Sequence, residues 1–281
     1  MRRVSDDVII RALRDAAAVE PRGAGRYAVT LSPYFSVVGR PNGGYLQCVM
    51  ANAALAAAAA EGATHQHTTA ITTNYIGAPQ SSTVAIETQV RKVGRGASFV
   101  YAALREDGVI TTESLVTLGT LSEDSRLRYH DASPFDIAPL EECAPARSFA
   151  DDINISHSME TRYDPSSIGW WTGERSDRAE IKAWMRLDDS SADWWDPWTV
   201  LFASDGLPPA TFPIGSTGWV PTLQLSSYVR SIPTSEWLRV RQWCVVVEDG
   251  LADERCEIFD DRDRLVASAS QLMMCRFPQG E

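Results

Sequence analysis

Several features that define other protein classes are missing from this chain of 281 residues. No apolar run is as long as a membrane-spanning helix requires. The charged start MRRVSDDVIIRALRDAAAVE indicates a short amphipathic helix and lacks the apolar stretch of a signal peptide. The five cysteines are odd in number and never form a C-x-x-C pair, so we expect free thiols. We therefore expect a cytoplasmic protein with no membrane partner.

An excess of positive charge and the motifs of several enzyme classes are also missing. The formal net charge of −11 argues against a nucleic-acid partner, because phosphate neutralisation needs a clustered basic face. No G-x-S-x-G, G-x-G-x-x-G or P-loop pattern occurs, which gives serine-hydrolase, dinucleotide and phosphoryl-transfer chemistry no support. His65 and His67 share a predicted strand face without a third ligand. We expect no metal site and no organic cofactor.

A helix followed by four extended segments occurs twice in the chain. The first helix is an alanine-rich stretch over 45–60, and the second covers 196–205 and begins with an Asp-Pro pair typical of a helix start. The extended segments are TTAITTNYIGAP, TVAIETQVRKV, ASFVYAAL, VITTESLVTLGTL, TLQLSSYVRSIP, WLRVRQWCVVV, ADERCEIF and RLVASASQLMMC. In this repeat Tyr75 aligns with Tyr228. The pattern predicts an α+β protein with two antiparallel sheets, each covered by one helix.

The two halves are separated by a polar stretch that several prolines interrupt. We assign 1–125 to an N-terminal unit, 126–168 to a linker and 169–281 to a C-terminal unit. A helix can approach a sheet closely when its side chains are small, which accounts for the alanines that fill most of positions 53–60.

These segments resemble the double hotdog fold, and specifically the acyl-CoA thioesterase II family with its thioesterase-like relatives. The resemblance runs from about residue 27 to residue 276, and NGGYLQ, FASDGLP, WVPTLQLSSYVR, SEWLRV and LVASASQ carry it. It implies hydrolysis of acyl-CoA or related acyl thioesters, as in fatty acid metabolism, by a water that an Asp, a Thr and a Gln hold. These residues fall on Asp205, Thr222 and Gln271, with Gln224 as the rival of Thr222.

The same residues can also be interpreted without the family. Asp205 follows the apolar face of its helix, where desolvation and the dipole of that helix would both raise its pKa toward that of a general base. The alternative is a solvated turn residue. Gln271 shares a strand face with small apolar residues, where a buried amide needs a hydrogen-bond partner. Thr222 and Gln224 alternate along a polar stripe, and the alternative there is a stripe that faces solvent.

Two adjacent glycines, Gly43 and Gly44, precede the first helix and indicate that something comes close to the bare backbone. We expect their N–H groups to be uncovered and to bind the thioester carbonyl, with Asn42 and Tyr45 beside them in the substrate site. The alternative is that the glycines only let the helix pack tightly on its sheet.

Two other functions remain open from the sequence. A non-catalytic carrier of acyl or other small ligands would keep the fold without the chemistry, and the nine tryptophans, all in the second half, could line its pocket. The spacing of Asp152, Asn154 and His157 indicates a hotdog enoyl-CoA hydratase, although the flanking glycine and proline of that family are absent. Long exposed sheet edges predict a homodimer or larger homo-oligomer.

Overall fold

The computed structural model describes residues 12–80, 83–123, 127–146, 153–187 and 195–278, and within them the chain forms three α-helices and fifteen β-strands. The helices are α1 (Leu13–Ala16), α2 (Gly43–Ala60) and α3 (Val200–Ala203). The strands are β1 (Glu20–Pro21), β2 (Arg26–Thr30), β3 (Ser36–Val37), β4 (Arg40–Pro41), β5 (His67–Tyr75), β6 (Thr83–Val93), β7 (Ser98–Glu106), β8 (Val109–Gly119), β9 (Ala144–Pro145), β10 (Met159–Tyr163), β11 (Glu180–Leu187), β12 (Thr222–Val229), β13 (Leu238–Glu248), β14 (Leu251–Phe259) and β15 (Leu265–Met274). No helix in the described ranges is long and apolar enough to cross a bilayer.

Thirteen of these strands form one continuous sheet in the order β1-β2-β6-β7-β8-β5-β12-β15-β14-β13-β11-β10-β9. The order β6-β7-β8-β5 of the first half is mirrored as β12-β15-β14-β13 in the second, and every pairing is antiparallel. The halves join where β5 pairs with β12, from Asn74 opposite Gln224 to Ala70 opposite Tyr228. All eight extended segments predicted from the sequence are strands, so the repeated architecture is confirmed.

The long helix α2 lies against the first half of the sheet and is buried over most of its length. Twelve of its eighteen residues are buried, because small side chains let it sit close to β5, β6 and β7. The side chain of Asn42 caps the helix by accepting the Tyr45 N–H at 3.0 Å. Ala59 and Ala60 are exposed, so the alanine run extends beyond the part that packs.

The helix of the second half is much shorter than predicted. Only 200–203 are α-helical, and turns flank them on both sides. Asp196 starts this segment as expected, since its Oδ1 accepts the N–H groups of Trp198 and Thr199 at 2.9 and 2.8 Å. The whole of α3 is buried, and Asp205 follows two residues after its end. One hydrophobic core includes α2, α3 and the inner faces of both half-sheets.

The alignment of Tyr75 with Tyr228 in the predicted repeat is wrong. Tyr75 points inward toward α2, whereas Tyr228 points outward and is 45% exposed. The matching inward positions are Thr73 and Ser227, because the side chain of Gln47 in α2 hydrogen-bonds to both, at 3.3 and 2.8 Å. Side chains alternate between the two faces of a strand, so an alignment that is wrong by one residue places a side chain on the opposite face. Aligning Thr73 with Ser227 gives an offset of an even number of residues between the halves.

The predicted linker, 126–168, lies partly inside the sheet. Strand β10 pairs with β11 from Met159 opposite Leu187 onward, and β9 pairs with β10 at its other edge. The second half of the sheet therefore begins within the predicted linker. All five cysteines are free, as expected, and all of them except the partly exposed Cys244 are buried.

Candidate active site

Asp205 lies where the second half of the chain meets the first turn of α2. Its Oδ2 accepts hydrogen bonds from Asn42 Nδ2 at 2.9 Å and from the Gly44 N–H at 3.0 Å. Asn42 Nδ2 also donates to the Asp205 carbonyl at 2.8 Å. The residue as a whole is partly exposed. Both halves therefore build this site, with the carboxylate coming from the second and its donors from the first.

The two glycines make this approach possible. A Cβ atom at Gly43 would lie 2.8 Å from Asp205 Oδ2 and 3.0 Å from Tyr75 Oη. One at Gly44 would lie 2.9 Å from two carbonyl oxygens of α3. The expectation that the Gly44 N–H is uncovered is wrong, because it donates to Asp205. The groups that come close to this bare backbone are Asp205, Tyr75 and α3 of the same chain.

The sequence predicts Tyr45 and Asn42 in the substrate site, and the structure gives them other roles. The Tyr45 side chain is fully buried, its hydroxyl donating to the Ala16 carbonyl at 2.6 Å and accepting the Ser32 N–H at 3.1 Å. The Tyr45 hydroxyl is therefore engaged inside the core, and a contact of Tyr45 with substrate stays a prediction. Asn42 is also buried and connects the cap of α2 to Asp205.

Burial raises the pKa of Asp205 from its ordinary 3.8 to about 6. Hydrogen bonds from Gly44, Asn42, the backbone of Gly43 and the amide of Gln271 all lower it, but desolvation has the larger effect. The sequence predicts that the dipole of the preceding helix raises this pKa. The structure instead places the carboxylate at the N-terminus of α2, whose N–H groups favour the ionised form.

A β-bulge in β12 brings Thr222 and Gln271 together. The register of β12 against β15 shifts between Thr222 and Gln224. The side chains of Thr222 and Gln224 therefore lie on different faces of the strand. The Thr222 hydroxyl donates to Gln271 Oε1 at 2.8 Å, whereas Gln224 is exposed and donates to Asn74 at 2.8 Å. The geometry thus favours Thr222 over Gln224 as the partner of Gln271, which is buried as expected.

Glu254, which the family resemblance does not predict, also belongs to this cluster. It lies in β14 directly opposite Gln271 and is fully buried. Its Oε2 accepts the Ala210 N–H at 2.7 Å, and its Oε1 accepts Nε2 of Gln242 at 2.9 Å and Nε2 of Gln271. Burial raises the pKa of Glu254 to about 7, and the charge of Asp205 adds to that increase.

The residues that indicated a hydratase do not join this site. Asn154 Nδ2 donates to the Pro33 carbonyl at 3.0 Å, and the carbonyl of His157 accepts the Tyr34 hydroxyl. Both residues therefore help to hold a loop of the first half. Asp152, like Trp194 of the tryptophan set, lies outside the described residues.

The two histidines considered for a metal have other partners. His65 Nδ1 lies 2.9 Å from the Ser98 hydroxyl, and His67 Nδ1 accepts the Leu121 N–H at 3.0 Å. In the part of the chain that the structure describes, no three His, Cys, Asp or Glu side chains are grouped to hold a metal ion.

Two mirrored half-sheets with their helices, joined at β5 and β12, define a double hotdog protein. Comparison with known families identifies it further: residues 31–120 match the acyl-CoA thioesterase N-terminal domain and residues 140–275 match the acyl-CoA thioesterase C-terminal domain. The chain belongs to the acyl-CoA thioesterase family, as the sequence segments predicted.

Solved structures and a curated relative are similar to this chain over most of its length. A candidate thioesterase II from Thermobifida fusca is 28% identical, with a TM-score of 0.84 over 94% of this chain and 97% of its own. A hot dog protein of unknown function from Alicyclobacillus acidocaldarius shares the fold at 17% identity, with a TM-score of 0.81 over 95% of this chain and 98% of its own. An uncharacterized protein of Mycobacterium tuberculosis is 26% identical over 87% of this chain and 89% of its own length.

Proposed function

We propose that this protein hydrolyses acyl-CoA, or a closely related acyl thioester, to the free acid and the thiol, with Asp205 as the general base. The observation that carries the proposal is the placement of Asp205. It is held by donors from both halves, it lies near the Thr222–Gln271 pair, and its pKa of about 6 leaves it mostly ionised yet basic at neutral pH. Membership of the acyl-CoA thioesterase family supports the same reaction.

In the proposed reaction Asn42 and Gly44 fix Oδ2 of Asp205, and Oδ1 binds the attacking water. The water oxygen forms a bond to the acyl carbon while its proton passes to Asp205. Collapse of the tetrahedral intermediate breaks the carbon–sulfur bond, and the thiolate leaves and takes up the proton that Asp205 holds. Thr222 and Gln271 orient the water from the other side. No cofactor enters these steps.

The carbonyl oxygen of the substrate would lie near the first turn of α2, where the helix dipole favours developing negative charge. Substitution of Gly43 cannot test this role, because any side chain there would displace Asp205 whether or not the N–H binds substrate. The acyl chain would follow the apolar layer between helix and sheet.

A thiol-release assay over acyl-CoAs of graded chain length tests the proposal, with wild type and Asp205→Asn compared in parallel. We expect wild type to hydrolyse some of them and kcat/KM of the variant to be lower by about 10³-fold, because the general base is lost. Asp249→Asn, the same change in an exposed turn between β13 and β14, serves as the matched control and should retain full activity. Equal, slow turnover of every ester by wild type and Asp205→Asn would overturn the assignment.

The carrier alternative gives a different result in a second measurement. Native mass spectrometry of the purified protein would show a retained acyl ligand, and turnover would be absent with every thioester. The same spectra give the oligomeric state, for which a homodimer or larger closed assembly remains the prediction.

A further inference from the structure

Glu254 is a fully buried carboxyl group that the proposed reaction does not use. Three N–H donors converge on it, from Ala210, Gln242 and Gln271. An ionised carboxylate can only accept hydrogen bonds, so Gln271 must turn the NH₂ of its amide toward Glu254. Its Oε1 then faces the opposite way, where it accepts the Thr222 hydroxyl at 2.8 Å.

We propose that Glu254 is a positioning residue for thioester hydrolysis, which fixes the amide of Gln271 and thereby the orientation of the Thr222–Gln271 pair beside Asp205. This inference rests on the proposed function. Glu254 itself is sealed behind Gln271 and touches neither the water nor the substrate in this scheme. It acts through the amide of Gln271, which it holds in one orientation.

The charge state of Glu254 follows from the groups that face it. The side chain of Asp205 lies on its inner side, with Cys244 of β13 and Cys256 of β14 among its other titratable neighbours. Asp253 and Arg255 flank it in sequence but are exposed on the outer face. Burial raises the pKa of Glu254 to about 7, and the charge of Asp205 adds to this, while the three N–H donors lower it.

Protonation of Glu254 would change which atom of the Gln271 amide it binds. A protonated carboxyl group carries an O–H donor, and it can bind the carbonyl oxygen of the amide as well as its NH₂ group. The amide of Gln271 is then free to turn over. Turnover should therefore require two ionised carboxyl groups, Asp205 as the base and Glu254 as the group that holds Gln271 in place.

The test is the pH dependence of thiol release by wild type and by Glu254→Gln. We expect kcat/KM of wild type to fall in two steps as the pH decreases from about 8 to about 5. In Glu254→Gln the upper step should be lost, and kcat at pH ~8 should fall about tenfold with KM changed less than about twofold. A purely structural role would lower stability without removing an ionisation from the profile.

Glu257→Gln is the matched control, since it makes the same change three residues further along β14, on the outer face. It should keep both steps. A second variant, Gln242→Met, removes one of the donors that lower the pKa of Glu254. The main change in this variant is loss of the hydrogen bond from Gln242 Nε2 to Glu254. The other polar atom of the side chain, Gln242 Oε1, is buried without a partner among the described residues, so its removal breaks no further hydrogen bond. The upper step should move to higher pH.

Either of two results would overturn the inference: Glu254→Gln with unchanged kcat and both steps, or wild type with a single step. If Glu254→Gln fails to fold, Gln242→Met decides, and an upper step that does not move counts against Glu254. These failures are distinct from failure of the proposed function, which shows as an active Asp205→Asn. An inactive Asp205→Asn with a normal Glu254→Gln removes only this inference.

Discussion

The two halves of the molecule share one sheet topology, but one row of inward-facing residues is apolar in the first half and largely polar in the second. In each half this row crosses three neighbouring strands and is buried. In the first half it consists of Ile71, Val116 and Val100. In the second half it consists of Leu225, Gln271 and Glu254. An apolar row in one half thus corresponds to a hydrogen-bonded carboxyl and amide in the other.

Gln47 establishes that these rows correspond. Its side chain contacts Thr73 and Ser227, and each row begins two residues before these positions, at Ile71 and Leu225. The two helices differ in length. Helix α2 covers the first half-sheet along its length, and the row beneath it is apolar, whereas α3 is a single turn that ends beside polar groups. In the proposed reaction the first half therefore supports the site, and the second half supplies the general base and the amide.

Copying the apolar row of the first half into the second half should have the largest effect. In Glu254→Val/Gln271→Val the amide proposed to orient the water and the carboxyl group proposed to hold that amide are both gone, and we expect kcat/KM to fall by about 10³-fold or more. The free energy of unfolding at pH ~8 should change by less than about 2 kcal/mol, because removing a buried carboxylate offsets the lost hydrogen bonds. Thiol release and urea denaturation measure the two quantities.

The reverse exchange is the control. Val100→Glu/Val116→Gln places the same polar groups beneath α2, in a row of apolar side chains that lacks the donors supplied to Glu254 by Ala210 and Gln242. It should lower the free energy of unfolding by about 3 kcal/mol or more. Equal stability losses in the two double variants would mean that the rows are interchangeable, and the comparison would have no physical basis.

The strands of both halves can be predicted because alternation and turn residues are local signals. The approach of Asp205 to Gly43 and Gly44 cannot be predicted in this way, because it depends on how α3 packs on α2. Neither segment by itself carries a signal for that contact. The bulge that turns Thr222 inward is equally invisible in the alternation of its strand. The repeat places Tyr228 on the wrong face for the related reason that a one-residue error inverts a strand.

Glu254, in contrast, has a signal in the sequence. The charged residues of ADERCEIF show a pattern only when alternate residues of the strand are assigned to its two faces. Glu254 then shares a face with Ala252, Cys256 and Ile258, all of them buried. An acidic residue in an apolar row needs hydrogen-bond partners, and that requirement on its own indicates a polar cluster at this point of the sheet.

Burial of the Asp205 carboxylate lowers the stability of the folded protein at a pH above about 6. The pKa of Asp205 rises from 3.8 to about 6 on folding, which corresponds to about 3 kcal/mol at most and to about 1–3 kcal/mol for a partly exposed side chain. Asp205→Asn should therefore be more stable than wild type at pH ~8. Because the folded wild type takes up its proton first, it gains stability as the pH falls through about 6, and the difference should be smaller at pH ~5. A variant less stable at pH ~8 would contradict this.

The third prediction tests the connection between the halves. Asn42→Ala removes both the cap of α2 and a hydrogen bond to Asp205. We expect the free energy of unfolding to fall by about 1–2 kcal/mol and kcat/KM to fall about tenfold. The acid limb of the pH–rate profile should move to higher pH, since Asn42 lowers the pKa of Asp205. Asn52→Ala, which removes a 2.9 Å bond to Ala17 from the same helix, should lose stability and keep its activity and pH profile.

The smallest predicted effect separates the two tyrosines that the sequence repeat aligns. The hydroxyl of Tyr75 donates to the Gly43 carbonyl at 2.7 Å and helps to hold the start of α2 against Asp205. Tyr75→Phe should therefore lower the free energy of unfolding by about 1 kcal/mol and kcat/KM about threefold. Tyr228→Phe should change the free energy of unfolding by less than about 0.5 kcal/mol and leave turnover unchanged, because this side chain is on the exposed outer face. If the two variants behaved alike, the hydrogen bond from Tyr75 to Gly43 would contribute nothing measurable to stability or to turnover.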